Sequence, residues 1–256
     1  MKGTALCVLS AGVLLAVGGV RAADAPAKVS RIYTDTVAPA DQQAYVAGIK
    51  RYNQCLAEHG FKFTWTALTH ETGDVYAYSY VSDPGTWADF DEMRKQGKPC
   101  DATFQTQVNP HLKGEVSAFI QEEAELSRAN PKGMSGDLME ITYFKLKSGY
   151  GRGKAFTDAV KKVTAAAVKS RWPYYYRFVR VVDGGADAPD FMVATYSASW
   201  AELGAEANPA MWKMVEGVYG KDATTDLRKA LGEVVEQESS HVDRKDVELT
   251  YTPPGR

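Results

Sequence analysis

Cysteine is scarce: there are three in 256 residues, and Cys7 sits inside an N-terminal apolar stretch. That excludes a cysteine-rich scaffold and a paired C-x-x-C metal or redox motif. A surplus of one charge is also missing. Thirty Lys and Arg face 32 Asp and Glu, and the basic residues form no block, which excludes the electrostatic footprint of a nucleic-acid binder. Beyond residues 1–22 no apolar run approaches the length of a membrane span. Neither a Gly-x-Ser-x-Gly elbow nor a His-Glu-x-x-His pair occurs. The four histidines, His59, His70, His111 and His241, are scattered. None stands beside another His or Cys at ligand spacing, so no metal site is expected.

What is present begins with residues 1–22, which read as a secretory signal. Lys2 supplies the basic start, Leu6 to Val20 the apolar region, and Val20-Arg21-Ala22 the small residues before a cleavage between Ala22 and Ala23. Cys7 lies at the start of the apolar region rather than at its end, which argues against a lipid-anchored start. Residues 23–30 then form a flexible mature N-terminus. The expectation is a periplasmic or secreted protein with no stable membrane anchor. In such a compartment Cys55 and Cys100 are either a disulfide or two separate half-buried thiols, and the sequence leaves both open.

The rest divides into two halves, 31–136 and 137–256. In the first, Arg31–Val37 reads as a strand. Pro39 and Asp41 open a helix with the stripe Tyr45, Ile49, Tyr52 and Leu56, closed by Gly60. Strands over 61–70 and 75–81 follow, joined at Glu71–Asp74, then a short helix over 87–96 and an irregular stretch over 97–110. Leu112, Val116, Phe119 and Ile120 recur at helical spacing and predict a longer helix running to Arg128. The second half repeats the order: strand 138–147, a glycine loop, helix 153–169, strands 174–182 and 191–197, and a helical region from Trp200 broken at Asn208-Pro209. A last helix through Leu227, Leu231, Val234 and Val235 precedes a closing strand over 247–251. Seven strands result where a doubled motif needs eight. The stretch 129–136 makes a poor strand, so the central strand at 138–147 is expected to serve both halves.

Strand, helix, hairpin, helix, strand is the split βαββαβ order. With Glu140-Ile-Thr-Tyr-Phe-Lys-Leu-Lys-Ser-Gly149, Phe156 in an amphipathic helix and a Trp200-Ala-Glu helix start, the chain resembles the dimeric α+β barrel superfamily, nearest its NIPSNAP-type and antibiotic-biosynthesis-monooxygenase-type members. The resemblance implies an α+β fold. Two tandem ferredoxin-like halves, related by internal duplication, would form a single-chain pseudo-dimeric barrel with helices outside and a cavity between the sheets. That superfamily includes cofactor-free oxygenases, haem proteins and proteins without known activity. No catalytic residue carries over. No cofactor is predicted, with haem left open.

Strand alternation suggests the ligand-facing groups. Tyr76, Tyr78 and Tyr80 share one face, Tyr196 takes the matching place in the second half, and His70, Tyr175 and Arg177 lie on neighbouring strands. Facing inward, they would orient a small carboxylate or phenolic ligand; facing a packed interface, the tyrosines are core. The glycine loop Gly149–Lys154 before a helix misses the P-loop spacing. Three readings follow: a binder of a small, partly apolar ligand or a protein partner without catalysis, a cofactor-free oxygenase-like or haem-associated enzyme, or a structural protein with no ligand.

Overall fold

The computed structural model describes residues 28–255. The stretch 1–22 read as a secretory signal, with its expected cleavage between Ala22 and Ala23, lies outside the described residues. Among those described, no helix is long and apolar enough to cross a membrane.

Eight antiparallel strands close into a barrel. The first half contributes β1 (Ser30–Val37), α1 (Gln42–Glu58), β2 (Trp65–His70), β3 (Ala77–Ser82), α2 (Trp87–Gly97), α3 (Asp101–Gln107) and β4 (Leu112–Glu122). The second contributes β5 (Leu138–Leu146), α4 (Arg152–Lys169), β6 (Arg177–Asp183), β7 (Phe191–Ser197), α5 (Trp200–Leu203), α6 (Met211–Tyr219), α7 (Lys221–Val234) and β8 (Val235–Tyr251). Around the barrel the order is β1-β3-β2-β8-β5-β7-β6-β4. Each half therefore has the ferredoxin-like order, 4-1-3-2 and 8-5-7-6, and the halves join at β2–β8 and β4–β6.

The structure corrects the reading of residues 112–122, which form a strand rather than a helix. β4 pairs with β1 from Ser30↔Ile120 to Val37↔Leu112 and with β6 on its other edge. Phe119 turns outward against Trp87 and Phe90, whereas Ile120 packs in the barrel lumen. Neighbours assigned to one helix face thus point to opposite sides of a sheet. β4 is the eighth strand, and β5 belongs to the second half alone. The stretch read as irregular holds α3. The closing strand is far longer than expected, because β8 starts where α7 stops and pairs with both β5 and β2.

The helices cover the outside. Over the second half, α4, α6 and α7 bury Phe156, Val163, Met214, Val215 and Leu227 against Phe178 and Phe191. Over the first half, Tyr45, Ile49 and Leu56 of α1 pack on the outer faces of β1, β2 and β3. The lumen holds Ile32, Val81, Ile120, Met139, Ile141, Val179 and Met192.

Candidate functional site

Where α4, α6 and α7 close tightly over the phenylalanines of the second-half sheet, the helices of the first half leave a cavity of about 770 Å³ between sheet and helices. Its sheet side is Arg31, Tyr33 and Asp35 of β1, Trp65 of β2, Tyr80 and Ser82 of β3, and Glu115 and Phe119 of β4. Its helix side includes Tyr52 and Asn53 of α1, Trp87 and Phe90 of α2, and Phe104 of α3. Aromatic rings dominate, as in a pocket for a flat apolar ligand.

The polar groups in that wall are left unfinished. Among the described residues, five buried side-chain N or O atoms lack a hydrogen-bond partner, and four belong to residues lining this cavity: Arg31 Nε, Asp35 Oδ1, Asn53 Oδ1 and Trp65 Nε1. Buried polar groups are ordinarily paired, because an unmade bond costs roughly 1–3 kcal/mol. Two donors and two acceptors held beside one aromatic cavity suit a ligand that carries hydroxyl or carbonyl groups.

Asp35 is the electrostatic centre. It is 2% exposed, and its Oδ2 accepts a hydrogen bond of 2.6 Å from Tyr45. Tyr45 also shares a 2.8 Å bond with Tyr80. Burial pushes the Asp35 carboxyl up to about 7; the bond from Tyr45 opposes this, and the charge of Glu115, its partner across the β1–β4 ladder, adds to it. Burial also raises Tyr45 and Tyr80 far above ordinary phenols, raises Tyr33, and raises Tyr52 to about 12. The phenols thus stay protonated while the carboxyl titrates near neutrality, which is where a general base works best. Arg31 lies over the rings of Tyr33 (4.4 Å) and Phe119 (5.2 Å), a cation held against the aromatic wall.

The residues singled out from the sequence do not form one site. Tyr76 precedes β3 and is exposed. Tyr78 and Tyr80 face outward beneath α1, not into the lumen: Tyr78 donates to Gln42, and its ring packs against that of Tyr45 at 4.8 Å. Of the three only Tyr80 lines the cavity. His70, Arg177 and Tyr196 do take the lumen side, but apart. Arg177 pairs with Glu122 at 3.4 Å, and the charges of both act on the half-buried Tyr196. Tyr175 lies under the Arg128 guanidinium at 4.7 Å. His70 meets His241 and Asp243, a grouping hidden in the sequence by the distance between them. Asp35 was legible only as a lone acid in an apolar strand, four residues after Arg31 on the same face.

Cys55 and Cys100 form a disulfide, with Cα atoms 5.9 Å apart. It ties α1 to the start of α3, two walls of the cavity. His59 Nδ1 lies 3.7 and 3.8 Å from the two sulfurs, which offer no thiolate while bonded. His111 pairs with Asp41. Tyr150 in the glycine loop is fully exposed.

The cavity lining has no His or Cys to serve as a haem's axial ligand; Met93 and the tyrosines are what it offers, and burial favours the neutral phenols.

No protein-family model matches the chain, and no curated protein matches its sequence. Solved structures do resemble it. A putative monooxygenase from Lactobacillus acidophilus NCFM superposes with a TM-score of 0.52 at 11% identity, over 88% of this chain and 96% of that one. An anthrone oxidase-like protein gives 0.54 at 8% identity, over 86% and 91%. A mutant chlorite dismutase from Candidatus Nitrospira defluvii, in complex with cyanide, gives 0.51 at 11% identity, over 88% and 93%. At these identities the likeness concerns architecture alone: the chain has the fold of the dimeric α+β barrel proteins.

Proposed function

We propose that this is an exported protein that binds a flat aromatic small molecule bearing hydroxyl or carbonyl groups, in the cavity between the first-half sheet and α1–α3. The observation that carries this reading is the set of four unpartnered buried polar atoms, on Arg31, Asp35, Asn53 and Trp65, around an aromatic cavity. Export rests on the signal-like residues 1–22 and suits the disulfide. The repeated element order supports descent of the halves by duplication, and the monooxygenase neighbours favour kinship with the antibiotic-biosynthesis-monooxygenase type over the NIPSNAP type.

Titration with anthrone tests it, read as quenching of Trp65 and Trp87. Saturable binding, one per chain, weakened roughly 10- to 100-fold by Asp35→Asn with Arg31→Met, supports the reading. Quenching that never saturates, or that the double variant leaves unchanged, overturns it.

Asp35 favours a second reading, oxygenase-like catalysis. Oδ1 takes a proton from an activated CH2 of the bound substrate, and the resulting carbanion is oxidised by O2. CH2 and O2 become C=O and water, one oxygen atom going to each product. Oxygen uptake with anthrone should then exceed the spontaneous rate and fall with Asp35→Asn. Uptake at the spontaneous rate would refute catalysis and leave the binding reading intact.

A further inference from the structure

The fifth unpartnered buried atom, Asp243 Oδ1, lies on the opposite side of the sheet, in the lumen. Asp243 is 1% exposed. His241 Nε2 stands 3.0 Å and His70 Nε2 3.7 Å from this same oxygen, and all three atoms lie within 4.8 Å of one another. The imidazoles stack with centroids 4.4 Å apart and an interplanar angle of 25°, so one ring turns about its side-chain torsions when both Nε2 atoms take one ion. We propose that His70, His241 and Asp243 bind a divalent first-row transition ion inside the barrel.

The argument is geometric and chemical. Ligand atoms about 2.1 Å from one ion stand ~3.0 Å apart when cis in an octahedron and ~3.4 Å apart in a tetrahedron. The two separations from Asp243 bracket that range to within a few tenths of an ångström. Two imidazoles and one carboxylate are a donor set for such ions and leave coordination positions open. Asp243 Oδ1 meets the two imidazoles without a well-aligned hydrogen bond, a costly state for a buried carboxylate, and a cation between the three groups removes that cost.

The surroundings suit metal-bound water. Ser79 Oγ is 3.0 Å from His70 Nε2 and 2.9 Å from Thr34 Oγ1, so its hydroxyl can turn to Thr34 when the imidazole takes the ion. Tyr143 OH is 3.4 Å from His241 Nε2. The scaffold is held on both sides. His70↔Asp243 is a β2–β8 ladder pair, and Glu71 and Thr72 donate their backbone N–H groups to Val242, between the two β8 ligands. Ligands anchored on paired strands hold a geometry better than ligands on loops. This site depends on nothing in the aromatic cavity.

The test is Co²⁺ titration of the chelator-treated, disulfide-intact protein, by calorimetry and visible absorption, repeated with Zn²⁺. The expected result is one ion per chain, with Co²⁺ bands of a site holding nitrogen and oxygen ligands. Asp243→Asn and His241→Gln should each weaken binding at least 10-fold, while His59→Ala and Ser79→Ala keep it. Circular dichroism identifies any variant that fails to fold, and the wild-type spectrum then decides alone. No binding at millimolar Co²⁺ or Zn²⁺, a spectrum lacking nitrogen ligation, or binding lost with His59→Ala and kept with Asp243→Asn would overturn the assignment.

Discussion

Replacing Asp35 by Asn should alter the pH dependence of unfolding in one defined window. An ordinary aspartate has a pKa of 3.8, and burial raises Asp35 to about 7 in the folded protein. A folded-state pKa above the unfolded one means that the native state holds its proton more tightly. That stabilisation is complete below about pH 4, declines as pH rises through the interval, and is gone above about 7. Three units at about 1.36 kcal/mol each give ~4 kcal/mol as an upper bound. The substituted side chain would keep an amide oxygen to accept from Tyr45 but could not ionise. The assay is urea unfolding of both proteins from about pH 4 to 8, where the other carboxylates cancel in the difference. Wild-type stability minus variant stability should fall by up to ~4 kcal/mol, mostly between about pH 4 and 7, and level off above. A difference that is flat, or that rises with pH, would refute the claim that Asp35 is buried as an acid.

The Cys55–Cys100 bond closes a loop with a sequence separation of 45, which in the chain-entropy treatment is worth ~4 kcal/mol. The double Ser variant should lose a comparable amount in denaturant titrations, and an unchanged midpoint would contradict this. Gly48→Ala places a Cβ 2.0 Å from the Gln107 carbonyl oxygen, so α1 and α3 must separate; thermal unfolding should show a loss of roughly 1–3 kcal/mol, and no loss would mean the helices are not in contact. Phe156, fully buried between α4 and the sheet, should cost about 3–5 kcal/mol on change to Ala, measured the same way, and a cost below about 1 kcal/mol would argue that this layer is not packed as described.

Much of the barrel was readable because most strands carry β-branched and aromatic residues between turn signals, as at Ile141-Thr-Tyr-Phe144. β4 was not, since Leu112, Val116, Phe119 and Ile120 satisfy a helical period by coincidence. Only pairing with β1 and β6 decides the matter, and that is a tertiary fact. β8 was half-read because its first residues are mostly polar and show no alternation; its ladders to β5 and β2 hold it. Face assignment failed at β3. The tyrosines were expected to face the space between the sheets, yet Tyr45 of α1 packs on Tyr78 and Tyr80. The cavity was invisible for a related reason: it exists because α1–α3 leave space that α4, α6 and α7 fill. His70 and His241 meet only through the β2–β8 seam between the halves.

A native mass spectrum of the protein purified from its native host, without reductant, bears most directly on the aromatic cavity. The account predicts one small aromatic molecule per chain, lost on denaturation, restored by adding anthrone, and absent from the Asp35→Asn, Arg31→Met variant. A bare wild-type chain that gains no mass with anthrone, or an adduct that the variant retains in full, would contradict it.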